Sequence, residues 1–379
     1  MPVPAVCFYI SGHGFGHASR QIEIINAVSK GQAESASSSP SSTIDILIRT
    51  SAPGWLFDRT AHQPFTRLAG PCDTGIVQFD SLRLDERATV DDAAAFYGTM
   101  PERSAVEARL LRERDVRLVI CDAPPLACAA AAAAGVPSIV LSNFTWDWIY
   151  EGYASAFATH APQVLPEIRE AYASAAAGWR LPLHGGFATV PHVLDLPYVA
   201  RHARHSRQDV VERLGIGAGR PLALSSFGGY GVREFDPASL DCLERWTFVI
   251  TGRDRPAAVP SGVVFIDEAR IYDAGFRYED LVAAVDVVVT KPGYGIVSEC
   301  IANDTALLYT SRGRFVEYDV MVREMPNVLR CRFLEQDSLR AGRWLEALDA
   351  LLDSPPAPRR PETNGAEIAA AEILRRVRD

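Results

Sequence analysis

Apolar and polar positions alternate along the first half of the chain in a pattern that predicts strands and helices in turn. The apolar run Val6 to Ile10 has the length of a buried strand, and the isoleucines and valine within 22–28 follow with helical spacing. Further strand-like runs lie at residues 44–48, 117–121 and 139–141. Such alternation predicts a parallel sheet covered by helices.

A second alternation begins after Asp195 and predicts another α/β domain. Its strand-like runs lie at residues 222–225, 248–251, 263–266 and 285–290. A chain of 379 residues is also long enough for two domains of ordinary size.

The predicted boundaries give an N-terminal domain at 1–197, a C-terminal domain at 198–360 and a final helix at 361–379. Prolines before residue 362 mark an extended segment, and Asn364 followed by Glu367 forms a capping-box pattern. We expect the final helix to pack back towards the N-terminal domain.

The net charge of −9 and the pI near 5.5 argue against a nucleic acid or an anionic membrane surface as partner. A basic cluster, Arg201, Arg204 and Arg207, is interpreted as a solvated face. Seven scattered cysteines without CxxC spacing suit reduced core thiols. With no signal peptide and no apolar stretch of about 20 residues, we expect a cytoplasmic protein without an integral membrane segment.

The segment SGHGFGHASR, Ser11 to Arg20, lies between the first predicted strand and the first predicted helix. Its three glycines keep Cβ atoms out of the turn, so that backbone amides at the helix start can approach a ligand. His13 and His17 are suited to moving protons near neutral pH. The alternative is a purely structural glycine turn.

A dinucleotide fingerprint is a weaker interpretation of this turn. His17 occupies the place of the third glycine, and the second strand-like run is followed by Arg49 instead of an acidic residue. Arg49 would at best suit a 2′-phosphate, so a dehydrogenase is disfavoured.

The segment KPGYGIVSEC, Lys291 to Cys300, repeats this arrangement in the second domain. It turns on two glycines and opens a helix whose first amides suit a phosphate, and Glu299 is placed to take two ribose hydroxyls. Another glycine turn follows the strand at 222–225. These turns predict a nucleoside diphosphate between two half-sites around a cleft, the alternative being a glycine turn followed by a surface glutamate.

Trp146, Asp147, Trp148 and Tyr150 follow a strand end in the first domain. Aromatic faces beside a carboxylate suit a sugar or another flat acceptor, and the same residues are also ordinary core material.

Six segments together resemble the glycosyltransferase-like domain that precedes the sugar kinase in plant L-arabinokinases and its stand-alone microbial relatives. They are YISGHGFGHASR, VICDAPPLACAAA, LSNFTWDWIYEGY, LSSFGG, KPGYGIVSE and NGAEIAA. More distantly the chain is similar to GT-B glycosyltransferases of the MurG type. The resemblance implies an α/β GT-B fold, with two Rossmann-like domains facing a central cleft and a C-terminal helix that crosses back to the N-terminal domain.

The resemblance also implies roles for individual residues. His17 would be the base that deprotonates an acceptor hydroxyl, with His13 beside it and Asp122 as the partner that orients the imidazole; Asp122 as a loop cap remains the alternative. The candidate acceptor contacts are Gly14, Phe15, Gly16, Arg20, Asn143, Trp146 and Asp147. The candidate donor contacts are Gly228, Gly229, Lys291, Gly293, Tyr294, Gly295, Ser298 and Glu299.

Lys291 departs from the retaining GT-B pattern, in which a glutamate precedes the ribose glutamate by eight positions. The resemblance therefore favours an inverting, metal-independent transferase without a cofactor. It would move a sugar from a nucleoside-diphosphate sugar, expected to be UDP-linked, to a hydroxyl of a small molecule or glycan. A nucleotide-sugar epimerase and a non-catalytic nucleotide-sugar sensor remain the alternatives.

Overall fold

The computed structural model describes residues 3–36, 44–217, 219–227, 235–252 and 259–378. The chain forms two compact units. Unit 1 consists of Met1–Val77, Asp85–Val199 and Glu362–Asp379. Unit 2 consists of Gln78–Leu84 and Ala200–Pro361.

Strands and helices alternate through both units. The strands are β1 (Ala5–Ile10), β2 (Asp45–Thr50), β3 (Thr66–Ala69), β4 (Gln78–Asp80), β5 (Arg83–Leu84), β6 (Val116–Asp122), β7 (Ser138–Phe144), β8 (Ala177–Gly185), β9 (Val193–Asp195), β10 (Leu222–Ser225), β11 (Thr247–Gly252), β12 (Val263–Asp267), β13 (Val287–Thr290), β14 (Ala306–Tyr309) and β15 (Cys331–Phe333).

The helices are α1 (Phe15–Ala36), α2 (Gly54–Thr60), α3 (Glu86–Tyr97), α4 (Met100–Glu113), α5 (Pro125–Ala134), α6 (Trp146–Glu151), α7 (Ala154–His160), α8 (Val164–Ala173), α9 (Arg207–Leu214), α10 (Glu268–Asp273), α11 (Tyr278–Ala284), α12 (Tyr294–Ala302), α13 (Val316–Val328), α14 (Gln336–Arg340), α15 (Leu345–Leu352) and α16 (Gly365–Arg378). A short 3₁₀ helix spans Pro237–Ser239.

The sheet of unit 1 is parallel, with the strand order β3-β2-β1-β6-β7-β8-β9. All residues of β1 and β7 are buried, as expected for central strands with helices on both faces. The register pairs Ile10 with Asp122, so the loop after β1 and the carboxylate that ends β6 leave the sheet at the same edge. The order changes direction at β1, which is where open α/β sheets bind ligands.

Helix α16 packs on α1 within unit 1. Ile373 and Leu374 lie in the same apolar cluster as Ile22 and Ile25 of α1. A methyl group at Gly31 would lie 2.7 Å from Leu374 Cδ1, so the glycine permits the close approach of the two helices. The helix begins directly after Asn364, the residue that the sequence predicts as its cap.

Unit 2 contains a second parallel sheet with the strand order β12-β11-β10-β13-β14-β15. Its core includes the buried side chains of Trp246, Phe248 and Trp344. The antiparallel hairpin of β4 and β5 belongs to this unit, because Leu82 is buried in the same core. The order changes direction at β10, and β13 lies beside it.

The eight strands predicted from hydrophobic runs are present as β1, β2, β6, β7, β10, β11, β12 and β13. Two boundaries differ from the prediction. Helix α1 begins at Phe15, so Gly16 and His17 lie in its first turn rather than ahead of it. The strand predicted from residue 285 begins at Val287, because Val285 ends helix α11.

Candidate functional site

The glycine loop of unit 1 connects β1 to α1 at the carboxyl edge of the sheet. A Cβ atom at Gly12 would overlap the Ser51 hydroxyl, and Gly14 has a φ of 85°, which favours glycine. These two positions explain why the loop is glycine-rich. The first-turn amides of α1 have no acceptor within the helix, which makes such a helix start suitable for a polar ligand.

His17 and Asp122 form a hydrogen bond at this edge. His17 Nδ1 lies 2.9 Å from Asp122 Oδ1, and both side chains are buried. With the proton on Nδ1, the imidazole donates to the carboxylate and its Nε2 is left to accept a proton. The sequence prediction that these two residues come together agrees with this geometry.

The Asp122 carboxylate also accepts hydrogen bonds from α1. Arg20 Nε donates to Oδ2 at 2.6 Å, Arg20 Nη2 donates to Oδ1, and Gln21 Nε2 donates to Oδ2 at 2.8 Å. Arg20 Nη2 lies 2.9 Å from His17 Nδ1 as well. Because a protonated Nδ1 cannot accept, Arg20 donates to the carboxylate and not to the imidazole when the proton is on Nδ1.

Asp122 is charged under all ordinary conditions. Burial alone would raise the pKa of its carboxyl, but the charge of Arg20, the neighbouring His17 and their hydrogen bonds outweigh it and hold the pKa far below its usual range. Asp122 is therefore a permanent acceptor for the His17 Nδ1 proton.

Arg20 and Asn143, both predicted acceptor contacts, are engaged within the protein. Arg20 Nη1 donates to Asn143 Oδ1, and Arg20 Nη2 lies 3.2 Å from Ser142 Oγ. Asn143 Nδ2 donates to Pro182 O at 2.6 Å. The two side chains are buried and hold the His17–Asp122 pair against β7.

An aromatic side chain that follows β7 packs against the glycine loop. Trp146 is buried, and its ring meets His13 edge to face with centroids 5.8 Å apart. His13 Nδ1 also lies 3.4 Å from the amide nitrogen of Ile76. Asp147 is buried at the start of α6, and burial raises the pKa of its carboxyl despite a hydrogen bond from Thr145.

Sequence reasoning missed Asp73, a buried carboxyl in the loop after β3. Trp146 Nε1 donates to Asp73 Oδ2 at 2.9 Å, and Ser11 of the glycine loop hydrogen-bonds the same side chain. Asp73 lies in a short polar segment between two strand signals, and nothing in its local pattern indicates that the loop meets the carboxyl edge of the sheet.

In unit 2, helix α12 begins with the second glycine turn. Gly293 is its N-cap, and Val297 N donates to Gly293 O at 3.0 Å, so the helix starts as the sequence predicts. Tyr294 and Gly295 form the first turn, and Ser298 Oγ donates to Gly295 O at 2.9 Å.

Lys291 precedes this helix and lies beside its start. A Cβ atom at Gly293 would be 3.6 Å from Lys291 Nζ. Burial, reinforced by the nearby Arg312 charge and partly offset by Glu317, lowers the pKa of Lys291 to about 7. An anion bound at this helix start would favour the protonated, positively charged form of Lys291.

Glu299 lies in α12 and is buried in an ion-pair network. Arg201 Nε donates to Glu299 Oε1 at 2.8 Å, and Arg201 Nη2 donates to the same oxygen. Arg201 Nη1 is 3.2 Å from Glu279 Oε2, and Arg277 Nε is 2.6 Å from Glu279 Oε1. Both hydrogen bonds from Arg201 to Glu299 go to Oε1.

The network corrects one sequence prediction. Arg201 was expected on a solvated face with Arg204 and Arg207, but it is buried between two glutamates. Arg207 does lie near the surface, where its Nη1 is 2.8 Å from Asp286 Oδ1. Burial raises the pKa of Glu299, with Arg201 opposing it and Glu279 adding to it. The charges of both glutamates outweigh burial and raise the pKa of Arg201.

Gly228 and Gly229, the remaining predicted donor contacts, lie outside the described residues. The residue before that turn, Ser226, accepts a hydrogen bond at its Oγ from the Tyr278 hydroxyl at 2.8 Å. The Thr290 hydroxyl donates to Ser226 O, which joins the ends of β10 and β13.

Arg49 is not available for a 2′-phosphate. Its guanidinium forms a bidentate pair with Glu107, with Nη2 to Oε1 at 2.8 Å and Nε to Oε1 at 3.0 Å, and the Tyr9 hydroxyl donates to Oε2 of the same glutamate. The dinucleotide interpretation therefore loses the one residue that would have supported it.

All seven cysteines are free. The helices in the described parts of the chain include none that is long and apolar enough to cross a membrane. Among those same residues, no group of three or more His, Cys, Asp or Glu side chains is arranged to hold a metal ion.

No family model matches this sequence. An L-arabinokinase of Arabidopsis thaliana is 29% identical to it over 374 residues, which are 96% of this chain and 33% of the relative. The chain thus spans about a third of the length of that curated relative.

Several solved glycosyltransferases share the architecture. Phytolacca americana UGT2, complexed with UDP-2-fluoro-glucose and pterostilbene, superposes with a TM-score of 0.60 at 12% identity, covering 99% of this chain and 94% of that one. The calicheamicin glycosyltransferase CalG4 gives 0.59 at 13% identity, with 100% and 94% covered. The glycosyltransferase VinC in complex with dTDP gives 0.57 at 14% identity, with 99% and 95% covered.

Identities this low establish the fold alone. The predicted fold class is confirmed: the chain has the α/β GT-B glycosyltransferase fold, and its sequence is similar to an L-arabinokinase of Arabidopsis thaliana.

Proposed function

We propose that this protein transfers a sugar, with inversion, from a UDP-linked sugar to a hydroxyl of a small molecule or glycan. The observation that carries the proposal is the buried His17–Asp122 pair at the carboxyl edge of the unit 1 sheet. A histidine whose Nδ1 proton is held by a permanent carboxylate is the usual form of a general base for hydroxyl activation.

In the proposed reaction, His17 Nε2 takes the proton of the acceptor hydroxyl. The hydroxyl oxygen forms a bond to the anomeric carbon of the sugar, while the bond from that carbon to the diphosphate oxygen breaks. The nucleoside diphosphate leaves with the electron pair, and the single displacement inverts the anomeric centre. Asp122 holds the imidazole in the required tautomer and stabilises its cation.

Unit 2 supplies the donor contacts in this proposal. The amides at the start of α12 and the Lys291 ammonium would hold the diphosphate, since a helix start and a positive charge both favour an anion. Glu299 Oε2 would accept a hydrogen bond from a ribose hydroxyl, while Arg201 donates to the other carboxylate oxygen. The lysine at position 291, where retaining enzymes of this fold carry a glutamate, supports inversion.

UDP is proposed as the nucleotide because the Phytolacca americana relative of this fold binds a UDP-sugar. VinC is in complex with dTDP, whose sugar lacks the ribose 2′-hydroxyl that Glu299 Oε2 would contact in UDP. Comparison of these two nucleotides is therefore the most informative binding experiment.

The test is calorimetry of the purified protein with UDP, dTDP and UDP-sugars, followed by a transfer assay. We expect UDP to bind more tightly than dTDP, and Glu299→Gln to weaken UDP binding by about tenfold, the cost of one charge-assisted hydrogen bond. The matched control is Glu102→Gln at an exposed position of α4. If no nucleotide or nucleotide sugar binds at millimolar concentration, the proposal is wrong.

A further inference from the structure

A strained turn directly follows Asp122 at the carboxyl end of β6. Ala123 has a φ of 74°, in the left-handed region that a residue with a Cβ atom rarely adopts, and its side chain is fully buried. The backbone leaves the sheet at this point and enters α5 at Pro125. A left-handed alanine costs free energy, and it persists only where the surrounding contacts hold the chain in place.

Each backbone carbonyl of the turn accepts a hydrogen bond. Asp122 O accepts one of 3.0 Å from the backbone of the glycine loop. The Tyr172 hydroxyl donates to Ala123 O at 2.5 Å, and the Cys121 thiol donates to Pro124 O at 3.1 Å. The hydrogen bond from Tyr172 is therefore the one that acts on the left-handed residue itself.

The Tyr172 hydroxyl lies on α8 and has a second partner. It accepts a hydrogen bond of 3.0 Å from Trp146 N, the first amide of α6. The Tyr172 side chain is fully buried, and burial raises the pKa of its hydroxyl well above the usual range, so the group keeps its proton and donates. One hydroxyl thus joins the turn after Asp122 to the start of α6.

The turn governs the direction of the Asp122 side chain, because Ala123 is the next residue along the backbone. The carboxylate lies 2.9 Å from His17 Nδ1 and 2.6 Å from Arg20 Nε. Both of these partners lie on α1, whereas Asp122 ends β6. Hydrogen bonds weaken steeply when they are misaligned, so a change in the backbone after Asp122 would weaken its contacts with α1.

We propose that Tyr172 is a positioning residue that holds the Asp122 carboxylate in hydrogen-bonding position to α1 and fixes the start of α6 relative to it. The inference rests on the proposed function, in which Asp122 orients the base, and on the predicted acceptor contact at Trp146. It assigns the relation between these two parts of the site to one buried hydroxyl. Tyr172 acts through Ala123 and Trp146, and not through contact with a substrate.

The first experiment measures by NMR how fast the Nε proton of Arg20 exchanges with water in protein without ligand. This proton is bonded to Asp122 Oδ2, so its protection reports the position of the carboxylate. In Tyr172→Phe the exchange should become about tenfold faster, the effect of losing one hydrogen bond at the turn. An unchanged rate in a folded Tyr172→Phe protein would overturn the proposal.

The matched control is Tyr9→Phe. Tyr9 is another fully buried tyrosine of unit 1, and its hydroxyl donates to Glu107 Oε2 at 2.8 Å. Glu107 keeps its pair with Arg49 in this variant. Both variants lose one hydrogen bond of a buried hydroxyl, but only Tyr172→Phe releases the turn. Equally fast exchange of the Arg20 proton in both variants would show a general loss of stability and contradict the inference.

A second substitution tests the strain in the turn. Glycine adopts the left-handed conformation without steric cost. Ala123→Gly, introduced into Tyr172→Phe, should therefore return the exchange rate of the Arg20 proton most of the way to the wild-type value. Ala123→Gly alone should leave the rate nearly unchanged. If the double variant exchanges faster than Tyr172→Phe, the left-handed residue does not need to be held and the inference is wrong.

These rates are measured without donor or acceptor, so they decide the role of Tyr172 even if no sugar transfer is found. Where transfer is found, Tyr172→Phe should lower kcat by about tenfold and raise the KM of the acceptor, because the turn and the start of α6 are both released. The KM of the donor should not change, since the proposed donor contacts lie in unit 2. A loss of stability with kcat and both KM values unchanged would mean that Tyr172 has a purely structural role.

Discussion

Arg201 donates two hydrogen bonds to Oε1 of Glu299, one of them from Nε at 2.8 Å. The same guanidinium lies 3.2 Å from Glu279, which also pairs with Arg277. The positive charges of Arg201 and Arg277 therefore balance the negative charges of two buried carboxylates. In the proposed function, a nucleoside that engages Glu299 would meet a carboxylate that Arg201 has already oriented.

Replacement of Arg201 by methionine should destabilise the protein strongly. It leaves Glu299 and Glu279 with less positive charge in a buried site, and breaking a buried pair costs about 3 to 5 kcal/mol. The measurement is the free energy of unfolding in urea. The matched control is Arg207→Met, whose exposed pair with Asp286 should be worth less than about 1 kcal/mol. Equal losses of unfolding free energy in the two variants would contradict the expectation that the buried ion pairs of Arg201 stabilise the protein more than the exposed pair of Arg207.

His17→Ala and Asp122→Asn should both slow the proposed sugar transfer strongly, but they should differ in stability. His17→Ala removes the proposed base and should lower kcat by about 10² to 10⁴, with UDP binding unchanged. Asp122→Asn also leaves the buried Arg20 without its counter-charge, so we expect an additional loss of about 3 kcal/mol in unfolding free energy. Calorimetry and urea unfolding of both variants check this. An Asp122→Asn protein as stable as the wild type would show that Arg20 finds another partner.

Binding of a UDP-sugar should be coupled to uptake of a proton by Lys291. The pKa of Lys291 is about 7 in the free protein, so above that pH the side chain is mostly neutral, whereas a diphosphate favours the charged form. Affinity should therefore fall as the pH rises from about 6 to about 8.5. A UDP-sugar is used because its diphosphate has no terminal ionisation in this range.

The measurement for Lys291 is calorimetry in buffers with different ionisation enthalpies. At about pH 8 the wild-type protein should take up close to one proton on binding. Lys291→Arg, which stays charged, should bind without proton uptake and with little pH dependence. Proton uptake that persists in Lys291→Arg would assign the coupling to another group.

Ile373→Ala in α16 should lower the unfolding free energy by about 2 to 5 kcal/mol, because Ile373 is fully buried against α1. Ile368 lies on the same helix with 39% of its surface exposed. Ile368→Ala should therefore change stability by less than about 0.5 kcal/mol. A small effect at both positions would show that α16 contributes little to the stability of unit 1.

Local patterns in the sequence determined the elements that carry the candidate site. The run from Val6 to Ile10 and the glycines after it specify a strand, a turn and a helix start, since periodicity and backbone freedom are properties of neighbouring residues. The same holds for Val287–Thr290 and the turn at Gly293. The pairing of His17 with Asp122 was implied by the resemblance to a known family, and the structure brings the two side chains within hydrogen-bond distance.

Tertiary structure decided the partners of the charged groups. Arg20 is 102 residues from Asp122, and Arg201 is 98 residues from Glu299. The local sequence around Arg201 resembles a solvated basic segment, and only the packing of the chain before α9 against α12 buries it. Asp73 has no local signal at all, because its position depends on where the loop after β3 crosses the sheet edge. Charge compensation between residues so distant in sequence is a property of the folded chain, which is why local patterns did not predict it.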